Sequence, residues 1–130
     1  MLEALADKLN SASVAVTGTN LFIGTMPTTP DTCVALYEYA ALNPLEVMQS
    51  NTATLERPRV QVLVRAGRND YPTARALLVS VRDTLTAITD ETISGVKFLR
   101  VNAESAINAI GVDENDRPKF TLSLQVVAER

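Results

Sequence analysis

Histidine and tryptophan are absent from this 130-residue chain, and cysteine occurs once, at Cys33. Without histidine the sequence lacks the usual general base near neutral pH, the commonest metal ligand and every histidine-dependent triad. A single cysteine excludes an intramolecular disulfide and leaves too few ligands for a structural zinc site. Cys33 stands among Thr32, Val34 and Ala35, the setting of a small buried thiol rather than a reactive one. No GxGxxG, GxxxxGK[ST] or GxSxG occurs, so nothing points to a phosphate-cradling loop or a nucleophile elbow. No apolar run approaches the ~20 residues of a membrane span. The opening MLEALADKLN lacks the basic-then-apolar order of a signal peptide. Synthesis and assembly in a cytoplasm, with no membrane partner, are the expectation.

What is present is ordinary for one globular domain. Hydrophobic residues make up 46% and charged residues 21%, and the length suffices for a core without staples. One domain over 1–130 is expected. The formal net charge of −3 and a pI near 4.9 argue against a duplex-binding surface. A weakly acidic protein can still line a channel through which DNA slides, because repulsion prevents sticking.

Periodicity places the elements. Leu2, Leu5, Ala6 and Leu9 fall at helical spacing, so the chain opens with a short amphipathic helix. Residues 21–25 read as a strand after the turn chemistry of Gly18, Thr19 and Asn20. Pro27 and Pro30 mark a break, and 32–39 reads as a second strand. Val60, Val62 and Val64 alternate with Arg59, Gln61 and Arg65, the pattern of a half-buried third strand. Tyr71, Ala74, Leu78, Val81, Leu85 and Ile88 then step by three and four, predicting a helix over about 72–88. Pro72 suits its first turn and Asp70 its free amides. Strands follow at 96–103 and from Phe120 to Val127, where Phe120, Leu122, Leu124 and Val126 alternate with polar residues. Residues 104–110 read as a brief helical turn and 111–118 as a loop. The segment 41–57 is long for a connection and is expected to form a projecting loop or hairpin. The fold expected is α+β: a mostly antiparallel sheet of about five strands with two helices packed on one face, in the order helix-strand-strand-strand-helix-strand-strand.

The remaining candidates for function are charged clusters. Arg57, Arg59, Arg65, Arg68, Arg75 and Arg82 concentrate in the middle of the chain. They are read either as subunit or phosphate contacts or as a solvated edge with local pairs to Glu56, Asp70 and Asp83. The charge balance favours subunit contacts over DNA. Asp113, Glu114 and Asp116 carry oxygen ligands suited to Mg²⁺ or Ca²⁺, but the loop lacks the glycine and distal glutamate of an EF-hand and reads more simply as a solvated acidic turn. Neither a metal nor a cofactor is expected. Tyr37, Tyr39 and Tyr71 read as the rim of the core.

The order of elements, the strand at 60–65 followed by Asp70, Tyr71 and Ala74, and the late block from Ile110 through Arg117 to the last strand resemble the tail-terminator and minor capsid proteins of long-tailed bacteriophages. The resemblance covers nearly the whole length. It implies a structural, non-enzymatic virion protein that forms a ring, typically a hexamer, on the head-proximal end of the tail tube. Such a ring stops tube polymerisation, offers the head–tail joining surface and lets DNA pass through its lumen without sequence-specific binding. The partners implied are identical copies, the tail tube protein, a head-completion or neck protein and the tape-measure protein. Contacts are expected at Leu45, Val47 and Met48 in the 41–57 segment. An arginine-rich surface (Arg57, Arg59, Arg65, Arg68) is expected to face an acidic loop (Asp113, Glu114, Asp116) on the next subunit. A neck connector is the nearest alternative, a small metal-dependent α+β enzyme a more distant one, and a ferredoxin-like nucleic-acid binder is disfavoured by the acidic pI.

Overall fold

A computed structural model describes residues 2–46 and 54–129, with the backbone alone at 40–46 and 54–55. The elements run α1 (Leu2–Ser11), β1 (Leu21–Ile23), β2 (Cys33–Glu46), β3 (Thr54–Arg65), α2 (Tyr71–Thr86), β4 (Thr89–Ile93), β5 (Val96–Ala103), β6 (Asn108–Val112) and β7 (Pro118–Glu129). The α+β class holds, but the sheet is larger than the expected five strands and is mixed. Its strand order is β1-β2-β3-β7-β5-β4, with β6 pairing β7 beside β5. All pairings are antiparallel except β1 with β2, which run parallel.

Two strands correct the sequence reading. Residues 89–93 are a strand where a connection was expected, because Ser94 and Gly95 take positive φ of 49° and 83° and close a two-residue hairpin onto β5. Ser94 Oγ also donates to Asp7 Oδ2 midway along α1, and Lys8 Nζ donates to Glu91 Oε1 at 2.9 Å. The brief helix at 104–110 does not form. Glu104 N donates to Ser123 O at 2.8 Å, Ser123 N donates to Ser105 Oγ at 3.0 Å, and the chain resumes pairing with β7 as β6. That strand runs to Val112, inside the segment read as a loop.

The core explains why the clearest periodicities form their elements. β7 alternates buried and half-buried residues along its whole length. Its Phe120, Leu122, Leu124 and Val126 join Val60, Val62 and Val64 of β3, Val34 and Leu36 of β2, and Phe98 and Val101 of β5. Onto them pack Ala4, Leu5 and Leu9 of α1 and Ala74, Leu78, Val81 and Leu85 of α2. Each fully buried leucine here contributes about 2 kcal/mol by area. Asp70 caps α2 by accepting from Thr73 N at 3.4 Å, and Pro72 occupies its first turn. Strand 2 outruns its expected end at residue 39. It pairs with β3 through Leu42↔Arg57, Leu45↔Leu55 and Glu46↔Thr54, with register shifts on either side of Leu42. β7 accompanies β3 as far as Leu55↔Glu129.

Candidate functional site

Strand alternation puts Arg59, Gln61 and Arg65 of β3 on the sheet face away from the helices, together with Tyr37 and Tyr39 of β2 and Thr121, Ser123 and Gln125 of β7. At one end this face is covered by the segment 26–31, which two buried arginines hold down. Arg65 is 4% exposed and Arg117 5%. Arg65 Nη2 donates to Pro27 O at 2.7 Å, Thr28 O at 3.2 Å and Pro30 O at 2.6 Å, while its Nε donates to Asp31 O at 3.0 Å. Arg117 Nη1 donates to Thr28 O and to Asp31 Oδ1, the latter at 3.1 Å. Its Nε donates to Asp113 Oδ2 at 2.7 Å. Prolines leave their carbonyls without local partners in such a turn, and a guanidinium fork offers several donors in one plane. The covered end is therefore dry: Cys33 and Ala35 are fully buried beneath it. Burial pushes the Cys33 thiol up, partly offset by the nearby Arg65 and Arg117.

Asp113 organises the acidic loop from within. Its Oδ1 accepts from Asn115 N at 2.9 Å and Arg117 N at 3.0 Å. Burial raises its carboxyl, but those two amides and the Arg117 guanidinium outweigh that and hold it below the ordinary carboxylate range. With its oxygens so engaged, Asp113 is a poor start for a cation site, and among the described residues no group of three or more potential ligands is placed to hold a metal.

The open part of the face is polar and its charge is paired. Arg59 Nε donates to Glu104 Oε1 at 3.0 Å and Oε2 at 3.2 Å, and its guanidinium lies 5.3 Å from the Tyr39 ring centroid. Gln61 Nε2 donates to Thr121 Oγ1 at 3.0 Å. On the helix side, Tyr71, Pro72, Arg75, Ala76, Val79 and Ser80 line an open groove of about 610 Å³ along α2. Tyr71 is 52% exposed, with its ring edge-on to Phe120 at 4.8 Å, so it stands farther out than a core rim.

The residues singled out in the sequence scatter among these places. Arg65 and Asp113 are engaged inside the chain, so the expected exposed grip does not fit them. Arg68 pairs with Asp116 of the same chain at 3.3 Å, which sets one expected basic–acidic couple within a subunit. Glu114 is exposed beside them. Arg59 is bound to Glu104, and Arg57, half-buried on β3 opposite Leu42, also has a partner. Leu45 lies in β2 opposite Leu55, while Val47 and Met48 fall outside the described residues. Sequence reasoning missed Arg117 and the role of Arg65. The available signal was Asp113 and Arg117 four apart in a loop, with two prolines elsewhere whose carbonyls needed donors.

The sequence model of a family described as bacteriophage tail terminator protein matches residues 8–130. The chain belongs to that family. This tail terminator also shares its fold with a chain from a solved structure titled "Virion of native gene transfer agent (GTA) particle". The likeness has a TM-score of 0.71 at 18% identity and covers 100% of this chain and 95% of that one. No curated protein matches it. As a tail terminator the protein is a structural component of a phage tail, in keeping with a surface whose charged groups serve packing and pairing.

Proposed function

We propose that this tail terminator closes into a ring of identical copies, a hexamer, on the head-proximal end of the tail tube. There it stops addition of tube subunits and offers the surface on which a head-completion protein docks, while DNA passes through the lumen. The family match over residues 8–130 carries this reading. The likeness of fold to a chain titled as part of a virion is in keeping with it.

Electrostatics supports the passage of DNA. The guanidinium groups of Arg59, Arg65, Arg68 and Arg117 are matched by carboxylates or carbonyls of the same chain. With four of its twelve basic side chains so engaged and a net charge of −3, the chain offers duplex phosphates little to hold, and affinity for DNA scales with the phosphates neutralised. The test is genetic. Phage produced without this protein should accumulate overlong tubes that fail to join heads, and supplying the protein should restore uniform, joined tails. Normal-length tails joined to heads in its absence would refute the proposal.

A further inference from the structure

Among the described residues two edges of the sheet carry no further strand, on opposite flanks and at opposite ends. On one flank β1 covers β2 only from Val34 to Leu36. There Val34 N donates to Asn20 O and Gly24 N to Leu36 O, both at 2.8 Å. Alternation turns the backbone groups of Glu38 to the same outer side, beyond the end of β1. On the other flank β4 covers β5 between Val96 and Arg100, while β6 runs on beside β7 from Thr121 to Pro118. Among the described residues no strand lies outside β6.

Edge strands are ordinarily blunted by lysine, proline or inward charge. The sequence of β6, Asn-Ala-Ile-Gly-Val, has none of these, and all five residues are exposed. A bulge interrupts it between Ala109 and Val112, where Gly111 takes a positive φ of 92°, so the regular edge is the stretch before it. Ile110 is 47% and Val112 59% exposed. Ala109 lies opposite Phe120, against which the exposed Tyr71 packs. Tyr71 on the helix side and Ile110 and Val112 on β6 are three of the four large apolar side chains exposed among the described residues, Val16 being the fourth.

The geometry points to a head-to-tail contact between copies of this chain, in which the outer edge of β2 around Glu38 in one copy adds alongside β6 of the next. It deepens the ring reading and rests on it. Unlike edges make a heterologous contact, the kind that propagates around a ring, and main-chain pairing at a free edge is a general mode of recognition. The faces also agree. Glu38 follows Val34 and Leu36 onto the helix side and is exposed. Ala109 is on that side too, and Arg75 lines the same α2 groove as Tyr71. A Glu38 carboxylate added there meets an Arg75 guanidinium. On the other side Tyr37 and Tyr39 come beside Ile110, an aromatic and β-branched pairing. The diagonal placement of the two edges staggers successive copies along the strands, as closing a sheet on itself requires.

Ile110→Lys puts a charge on β6, and Glu38→Arg reverses one on β2; both positions are exposed, and thermal melting confirms the fold of each variant. Closed oligomers are read by native mass spectrometry, in solution and on purified tail tubes. The wild type should form them, and each variant alone should show an affinity for self-association weaker by about tenfold or more, the equivalent of about 1.4 kcal/mol per contact. A 1:1 mixture should give discrete dimers, because one productive pair of edges survives between the two variants. Glu38→Arg combined with Arg75→Glu should restore closure. Single variants that both close with the affinity of the wild type, or a mixture that stays monomeric, would overturn the edge pairing while leaving the ring intact. A wild type that never closes, even on tubes, would overturn the ring and the pairing together.

Discussion

Replacing Arg65 by leucine tests whether this arginine is an internal clamp or an external grip. The side chain is 4% exposed and donates to the carbonyls of Pro27, Thr28, Pro30 and Asp31. Thr28 O keeps its second donor, Arg117, so three carbonyls lose their donor. Hydrogen bonds from a charged donor contribute about 1.5–3 kcal/mol each. Thr28, Thr29 and Asp31 are exposed, so water reaches the segment and reduces the net loss to about 1 kcal/mol per bond. The expected destabilisation is about 3 kcal/mol, roughly two decades in the folding equilibrium constant. Arg65→Lys keeps the charge but replaces a planar fork by one compact donor group, so it should recover only about half of that. Urea unfolding followed by far-UV circular dichroism, at constant m, reads both values. A loss below about 1 kcal/mol for Arg65→Leu, or normal stability with failed self-association, would refute the clamp and return Arg65 to the surface.

Three further outcomes follow from the same packing. The Asp113 carboxyl is held below its ordinary value in the folded state, so its contribution is complete above the unfolded value of about 3.9 and disappears as pH falls through the folded one. Asp113→Asn should accordingly be less stable than the wild type at neutral pH and lose less on acidification below about pH 4, as measured by melting temperature across pH. Leu78, fully buried between α2 and the sheet, should cost about 2–5 kcal/mol as alanine in the same urea assay. Cys33, buried and with its thiol pushed up, should resist a thiol reagent in the native protein and react promptly in denaturant.

Where one face of an element is buried and the other wet, the sequence announced it. α1, α2 and β7 carry their apolar residues at 3.6- or 2-residue spacing, and they stand close to where that spacing placed them. β4 and β6 were not legible in the same way. Thr-Asp-Glu-Thr-Ile and Asn-Ala-Ile-Gly-Val lie at the margins of the sheet and bury little, so pairing with a neighbour, not burial, makes them strands. Nor does spacing disclose that β1 runs parallel to β2, since three residues set no register of their own. The arginines show a deeper limit. Alternation correctly puts Arg65 on the face away from the helices, where an arginine reads as solvated. Only the return of 26–31 over that end buries it, together with Cys33 and Ala35. Arg68 and Asp116 are 48 residues apart in sequence and meet because β3 and β7 pair through Arg65↔Lys119.

The most direct test of the central claim is a reconstruction of the intact virion at side-chain resolution. A single ring of this chain between the last layer of tail tube and the first neck protein is the predicted result. Finding the chain at the distal end of the tail, or as isolated copies making no contact with one another, would contradict it.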